Sequence, residues 1–285
     1  NDVFELFGNE IIDRKDLEMK EKILVFIPMY NCEKQIVRVL DQLNGEIKKI
    51  IISEAIIVNN RSTDNGEQAA IEKIKKMNAG FPIKVLKNRE NYGLGGSHKV
   101  AFNYAIENNF DYVIVLHGDD QGSISDMIPV LENGAFKKYD CCLGGRFAKG
   151  SKLVGYSKFR TFGNLVFNVI FSISVGKRIL DLGAGLNLYS TRMLKSKYYE
   201  KFPDNLTFNC YMLFALASYK QTYRFVPIVW REEDQVSNVK MTRQAWQTLK
   251  MAVSYFFGRK KFMLKDAREK KFKEYKSDVV FSTED

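Results

Sequence analysis

Short apolar runs and longer amphipathic stretches alternate along the first half of the chain. Residues 23–27 (Ile-Leu-Val-Phe-Ile) are apolar throughout and stop at Pro28. So short an unbroken run predicts a strand buried on both faces. Residues 33–49 follow, with Ile36, Leu40, Leu43 and Ile47 three or four apart. That spacing predicts a helix with one apolar face. The couplet then recurs. Residues 50–58 read as a strand ending at Asn59-Asn60, 67–77 as a helix and 83–86 as a strand. After a glycine-rich turn, 97–108 read as a helix, and 112–116 and 141–143 as strands. Such alternation predicts an α/β fold with a mainly parallel central sheet flanked by helices. No internal repeat or low-complexity linker divides it. One domain is expected over 21–240, after a polar extension (1–20) and before an amphipathic helix and basic, helical tail (241–285).

Ligands in such sheets bind beyond the carboxyl ends of the strands. The first strand is followed there by Pro28-Met29-Tyr30-Asn31-Cys32-Glu33, and the second by Asn59-Asn60-Arg61-Ser62-Thr63-Asp64. The third is followed by Asn91-Tyr92-Gly93-Leu94-Gly95-Gly96-Ser97-His98-Lys99, and the fourth by His117-Gly118-Asp119-Asp120-Gln121. Each alone is weak: a glycine cluster marks many tight turns, and Ser62 or Asp64 suits a helix cap. Together they put polar and glycine-rich segments on one edge of the sheet. Carboxylate and amide oxygens after the fourth strand suit Mg2+ or Mn2+, which bridge diphosphate oxygens. The glycines would let backbone approach a ligand, and the helix start would offer N–H groups to a phosphate. The glycine run follows the third strand rather than the first, so it is no dinucleotide fingerprint, and it lacks the P-loop Lys-Ser/Thr. With two histidines in the chain, and no suitable Ser or Cys partner, a nucleophilic triad has no support.

The order Pro-x-Tyr-Asn, Asn-Asn-x-Ser-Thr-Asp, Asn-x-Gly-x-Gly-Gly and Gly-Asp-x-Gln resembles the family-2 glycosyltransferases. It is most similar to their polyprenyl-phosphate (dolichyl-phosphate) sugar synthase branch. The likeness runs over residues 22–245 and includes Gly144-Gly145-Arg146-Phe147 and Asp181-Leu182-Gly183-Ala184-Gly185-Leu186-Asn187. It implies a GT-A nucleotide-sugar domain and sugar transfer from a nucleotide diphosphate to an acceptor, with inversion. It implies nucleotide-sugar contacts at Pro28, Tyr30, Asn31, Glu33, Asn60, Ser62, Asp64, Gly95, Gly96, Lys99 and Gly118. Asp119 and Asp120 are the implied catalytic carboxylates. Asp119, Gln121 and His117 are the implied metal ligands, for Mn2+ or Mg2+. Arg146, Arg160, Arg231, Ser237 and Lys240 are the implied acceptor-phosphate contacts. Two positions depart from the family pattern. Asn60 stands where a base-binding Asp is usual, and His117 replaces the first Asp of the metal motif, either as a ligand that favours Mn2+ or as a hydrogen-bonding spacer. The family's Glu-Asp base motif is missing, and Asp204 is the nearest substitute. A phosphate acceptor is already an anion and needs no base, whereas a hydroxyl does. That favours a polyprenyl phosphate acceptor. The alternatives are extension of a surface glycan through a hydroxyl and a non-catalytic binding module.

Charge sharpens the picture. Of the net +10, +9 lies in residues 240–276, where twelve Lys/Arg face three acids. Residues 241–257 carry a stripe of Met241, Ala245, Leu249, Ala252 and Phe256 with Trp246, Val253 and Phe257 beside it, ahead of Arg259-Lys260-Lys261. Apolar and aromatic groups next to a basic cluster suit an interfacial helix as well as one packed on the body. The apolar stretch 159–175 is a second candidate surface. No apolar run approaches the roughly twenty residues of a spanning helix, and no secretory leader is apparent. Four scattered cysteines point to a reducing compartment. The expectation is a peripheral protein at the cytoplasmic face of a membrane. A nucleic-acid partner is not expected, because the basic segment lacks spaced stacking aromatics.

Overall fold

The computed structural model describes residues 6–7, 10–11, 21–45, 48, 51–232 and 241–284, with the backbone alone at 6–7, 10–11 and 241–243. The strands in chain order are β1 (Leu6–Phe7), β2 (Glu10–Ile11), β3 (Ile23–Met29), β4 (Glu54–Asn59), β5 (Ile83–Asn88), β6 (Tyr112–Leu116), β7 (Cys141–Gly145), β8 (Lys152–Val154), β9 (Leu186–Ser190), β10 (Tyr223–Pro227), β11 (Val229–Arg231) and β12 (Ser277–Ser282). The helices used below are α1 (Glu33–Asp41), α2 (Gly66–Lys75), α3 (Gly93–Glu107), α4 (Ile128–Glu132), α5 (Lys158–Val175), α6 (Thr191–Leu194), α7 (Phe208–Ser218) and α8 (Met241–Leu264).

Eight strands form the central sheet in the order β10-β7-β9-β6-β3-β4-β5-β12. The middle of it, β6-β3-β4-β5, is parallel. This block is built from the apolar runs at 23–27, 83–86 and 112–116 and the β-branched run before Asn59. β9 runs antiparallel to both β6 and β7, and β12 antiparallel to β5. Every residue of β3 is buried, and successive side chains enter opposite layers. Leu24 and Phe26 join one apolar cluster, with Phe102, Phe171, Phe214 and Tyr255 from helices α3, α5, α7 and α8. Ile23, Val25, Ile27 and Met29 join the other, with Ile36 and Leu40 of α1, Ala70 of α2 and Val130 of α4. A period of two over a sheet covered on both faces is what an uninterrupted apolar run encodes.

Three expectations shift. The helix predicted over 33–49 stops at Asp41, with Gln42 as its C-cap; residues 46, 47, 49 and 50 lie outside the described residues. The helix predicted from Ser97 starts four residues earlier, at Gly93, so the glycine run is its first turn rather than a loop before it. The C-terminal segment is not a helical tail. α8 breaks at Gly258, resumes to Leu264, and the chain then returns to the body, where β12 closes the sheet on β5. Arg89 pairs Asp278 across that edge at 2.8 Å, and Tyr275 packs edge-on against Tyr92.

Candidate active site

The carboxyl ends of β3, β4 and β6 and the start of α3 enclose an open cleft of about 360 Å3. Among its lining residues are Pro28, Tyr30, Asn60, His117, Gly118 and Asp119, six of the residues singled out from sequence. Cys32, Asn91, Leu94, Ser97 and Leu206 line it too. The first four stand within the strand-end strings quoted from the sequence. Nothing local hinted at Leu206.

Asp119 is the one carboxylate among these lining residues. It follows β6 directly and accepts the Gln121 N–H at 3.3 Å. Withdrawal from water pushes its carboxyl up to about 6. Asp120 is placed differently. Its backbone takes a left-handed turn (φ 60°), and its carboxylate swings onto α1. There it meets Arg38 Nε at 2.6 Å and Gln42 Nε2 at 2.9 Å. The expected pair of catalytic carboxylates therefore resolves into one residue in the cleft and one anchoring the loop from outside.

His117 also departs from the expected ligand role. Its Nε2 is buried and has no hydrogen-bond partner, and its ring faces His98 with centroids 6.1 Å apart. Antiparallel pairing puts β9 beside this turn, where the His117 N–H bonds Gly185 O at 3.0 Å. A Cβ on Gly185 would lie 2.5 Å from His117 Cγ, so the imidazole needs glycine there. Burial holds His117 at about 4 and His98 at about 3, well below ordinary imidazole, with a smaller push on His98 from His117. Both rings are neutral. Among the described residues no three His, Cys, Asp or Glu side chains converge as a metal site. Asp119 fits a cation, while the Nε2 of His117 is shut away from the cleft's solvent. Gln121 is half-buried and is not among the lining residues.

Asn31, Glu33, Ser62 and Asp64, expected to touch the nucleotide, bind one another's loops. The Asn31 N–H bonds Ser62 Oγ at 3.1 Å, and Thr63 N–H bonds Asn31 Oδ1 at 2.8 Å. Asp64 accepts the N–H groups of Glu33 (2.9 Å) and Gly66 (3.0 Å). These contacts cap α1 and α2 and lock the two strand-end loops together. Asn60 sits at the cleft wall, with Oδ1 accepting from Asn88 and the Tyr92 N–H while Nδ2 donates to Asn91.

The glycine turn lines the cleft through Gly93, Leu94 and Ser97, and its glycines also pack closely on protein. Gly93 has φ +73°, and a Cβ there, or on Gly95, would strike the backbone of the 203–204 loop. The Gly95 N–H donates to Asp204 O at 2.8 Å. Gly96 lies against Tyr92 and Tyr275. Lys99 is fully buried and gives its ammonium to Phe202 O and Asp204 Oδ1, both at 2.6 Å, and to Tyr275 Oη at 3.1 Å. Burial lowers it to about 8 although Asp204 pulls the other way. So Lys99 clasps this loop and the C-terminal segment, and Asp204 is committed to that clasp.

The expected phosphate arginines are also engaged. Arg146 donates in a fork to Asp181 at 2.7 and 2.8 Å, joining the two glycine-containing strings the sequence singled out. Arg160 pairs with Glu232. Arg231 is exposed, and its backbone N–H bonds Gln121 O at 3.0 Å, beside the turn that carries Asp119. Ser237 and Lys240 lie outside the described residues.

The sequence profile of glycosyl transferase family 2 matches residues 24–203, from β3 into the loop before α7. An undecaprenyl-phosphate 4-deoxy-4-formamido-L-arabinose transferase of Photorhabdus laumondii is 27% identical over 180 residues, 63% of this chain and 52% of its own. A dolichol-phosphate mannosyltransferase of Pyrococcus furiosus is 24% identical over 142 residues, 49% of this chain and 37% of its own. The chain thus spans about half, or less, of these two relatives. A crystal structure of Mycobacterium tuberculosis glucosyl-3-phosphoglycerate synthase with Mn2+, uridine diphosphate and glucosyl-3-phosphoglycerate superposes with a TM-score of 0.60. It is 13% identical and covers 97% of this chain and 96% of its own. The fold is GT-A, and the chain belongs to glycosyl transferase family 2.

Proposed function

We propose that this family-2 glycosyltransferase moves a sugar from a nucleotide diphosphate to the phosphate of a polyprenyl phosphate, at the cytoplasmic face of a membrane. One observation carries the choice of acceptor: no carboxylate but Asp119 lines the cleft among the described residues. Asp204, the other base candidate, is held by Lys99 and Tyr275. A sugar hydroxyl would have to lose its proton to a base; a phosphate oxygen attacks as it stands.

In this reading Pro28, Tyr30 and Asn60 receive the nucleoside in the cleft, and Tyr30, half exposed, is free to cover the base. Asp119 and the donor's own diphosphate oxygens would hold a divalent cation, Mn2+ or Mg2+. When bound, such a cation neutralises charge gathering on the leaving diphosphate. The acceptor's phosphate oxygen forms the new bond to the anomeric carbon from the face opposite the diphosphate. The bond to the diphosphate breaks with its electron pair, and the nucleoside diphosphate departs with the configuration inverted.

Membrane contact is supported by two helices. α5 leaves Phe159, Phe162, Val169 and Ile173 exposed, and α8 leaves Trp246, Phe256 and Phe257 exposed, beside Arg259, Lys260 and Lys261. No described helix is long and apolar enough to cross a membrane. Apolar exposure on this scale, next to basic residues, suits a helix lying in a lipid interface.

The test is a panel of nucleotide sugars with Mn2+ or Mg2+, with and without a short polyprenyl phosphate, scored by free nucleoside diphosphate. Release that requires the lipid is the expected result. Release that requires a glycan instead would replace this reading with glycan extension, and no interaction with any donor would leave a non-catalytic module.

A further inference from the structure

A second cavity, about 420 Å3, lies between α8, the start of α7 and the segment after Leu264. Its floor is apolar: Tyr211, Met251 and Phe262 line it, with the Tyr211 and Phe262 rings stacked at 4.8 Å. Lys250, Lys261 and Lys265 stand at its sides. All three are exposed, and none has an ion pair among the described residues. Glu269 is the one acid among the lining residues, and it accepts from Asn205 Nδ2 at 2.9 Å. The groove also opens at the amino end of α7, through Asn205 and Thr207, where the helix dipole favours an anion.

Two further features fix the kind of anion. On α8 ahead of the break at Gly258, the groove-lining positions 247, 250, 251 and 254 form one stripe. The exposed apolar residues Trp246, Val253 and Phe257 form the adjacent stripe, on the side of Lys250, as 100° per residue requires. And the loop at 203–207 is a shared wall. Leu206 lines the donor cleft while Pro203, Asn205 and Thr207 line the groove.

We infer that this groove binds a phosphate monoester, with the phosphate between Lys250, Lys261 and Lys265 and its apolar substituent on Met251, Phe262 and the adjoining apolar stripe. The phosphate is that of a lipid or of a small soluble ester. This deepens the reading above by giving an acceptor's phosphate a holding site next to the donor cleft, and it rests on that reading only for calling the ligand an acceptor. Binding is therefore measured with no donor present, which separates its failure from a failure of transfer.

The experiment is calorimetric titration of the full chain with farnesyl phosphate below its micelle concentration, with farnesol, and with glycerol 3-phosphate. Saturable binding of farnesyl phosphate is expected, at least tenfold tighter than farnesol. The double variant K261Q/K265Q should weaken it at least tenfold, while K261R/K265R retains it with an unchanged circular dichroism spectrum. Glycerol 3-phosphate binding as tightly, with the same dependence on the lysines, would support the phosphate site and make its source soluble. Binding of neither phosphate, or equal binding by K261Q/K265Q and the wild type, would overturn the proposal.

Discussion

The carboxyl edge of the sheet and the paired helices α5 and α8 treat their side chains in opposite ways. At the sheet edge almost every polar group has a protein partner: Asn31 with Thr63, Asp64 with Glu33, Asn60 with Asn88, Asp120 with Arg38. Along α5 and α8 several large apolar groups face outward, with Phe257 83% exposed and Phe159 73%. The difference separates two tasks. Satisfied polar groups set the shape of a cleft before any ligand arrives, so binding energy need not be spent on ordering loops. Unsatisfied apolar groups mark the face for which water is the wrong solvent.

The largest difference in effect is expected at the two adjacent carboxylates. Asp119→Asn should lower sugar transfer about 10³-fold, the scale of losing a charge contact at a reacting group, with the melting temperature little changed. Asp120→Asn should cost less than tenfold in rate, because it loosens contacts outside the cleft, an ion pair with an exposed Arg38 and a hydrogen bond from Gln42. Equal effects in steady-state kinetics would mean that the placement of the two is misread.

Next in size is the buried fork between Arg146 and Asp181, at 9% and 1% side-chain exposure. Removing one partner leaves the other charge buried and alone. Asp181→Asn should therefore cost about 3–5 kcal/mol in urea unfolding. If Arg146 were instead held ready for a phosphate, the same substitution would leave stability near wild type.

His98 offers a smaller effect with a definite sign. It is walled by Phe26, Phe102 and Phe208 and by His117, its one titratable ring neighbour. Its Nδ1–H is given to Leu94 O at 2.8 Å. Unfolded, it takes a proton near the usual 6.5; folded, only near 3. Between those values the unfolded chain binds more protons, so stability falls as the pH drops from 6.5 toward 3. The rate is up to about 1.4 kcal/mol per pH unit. His98→Phe fits the same aromatic wall and should flatten that part of the stability–pH curve. An unchanged slope would show that His98 is not the group responsible.

The smallest effect sharpens the comparison at its apolar end. Phe257→Ser or Trp246→Ser should weaken binding to anionic lipid vesicles at least about tenfold, from the roughly 1.5–3 kcal/mol that an aromatic or aliphatic side chain gains on burial. Thermal unfolding should be unchanged. Undiminished vesicle binding by both variants would put the membrane face elsewhere.

What the sequence reveals and what it hides follow the same division. The central parallel strands were legible because burial on both faces leaves an unbroken apolar run, as at 23–27. The loops carrying Tyr30, Asn60 and Asp119 were legible because strand ends in such a sheet converge. β9 and β12 were not. Leu186–Ser190 is half polar and sits inside a string that reads as a motif, and Ser277–Ser282 closes a stretch dominated by charge. Contacts of the candidate site residues were hidden wherever the partner is remote. Lys99 and Asp204 are 105 residues apart, and Arg146 and Asp181 are 35 apart. A lysine after a glycine run looks like a phosphate ligand until its fold-mate is known. The direction in which Asp120 turns depends on a left-handed backbone at that residue, which an aspartate seldom signals in advance.

Transfer to a polyprenyl phosphate requires that the acceptor attack through an oxygen that needs no base. The most direct measurement gives the enzyme a nucleotide-sugar donor and either a short polyprenyl phosphate or the matching polyprenol, and reads the products by mass spectrometry. The account predicts a polyprenyl-phosphate sugar from the first and no glycosylated product from the second. Glycosylated polyprenol formed at a comparable rate would contradict it, because a base able to activate a hydroxyl would then have to be present.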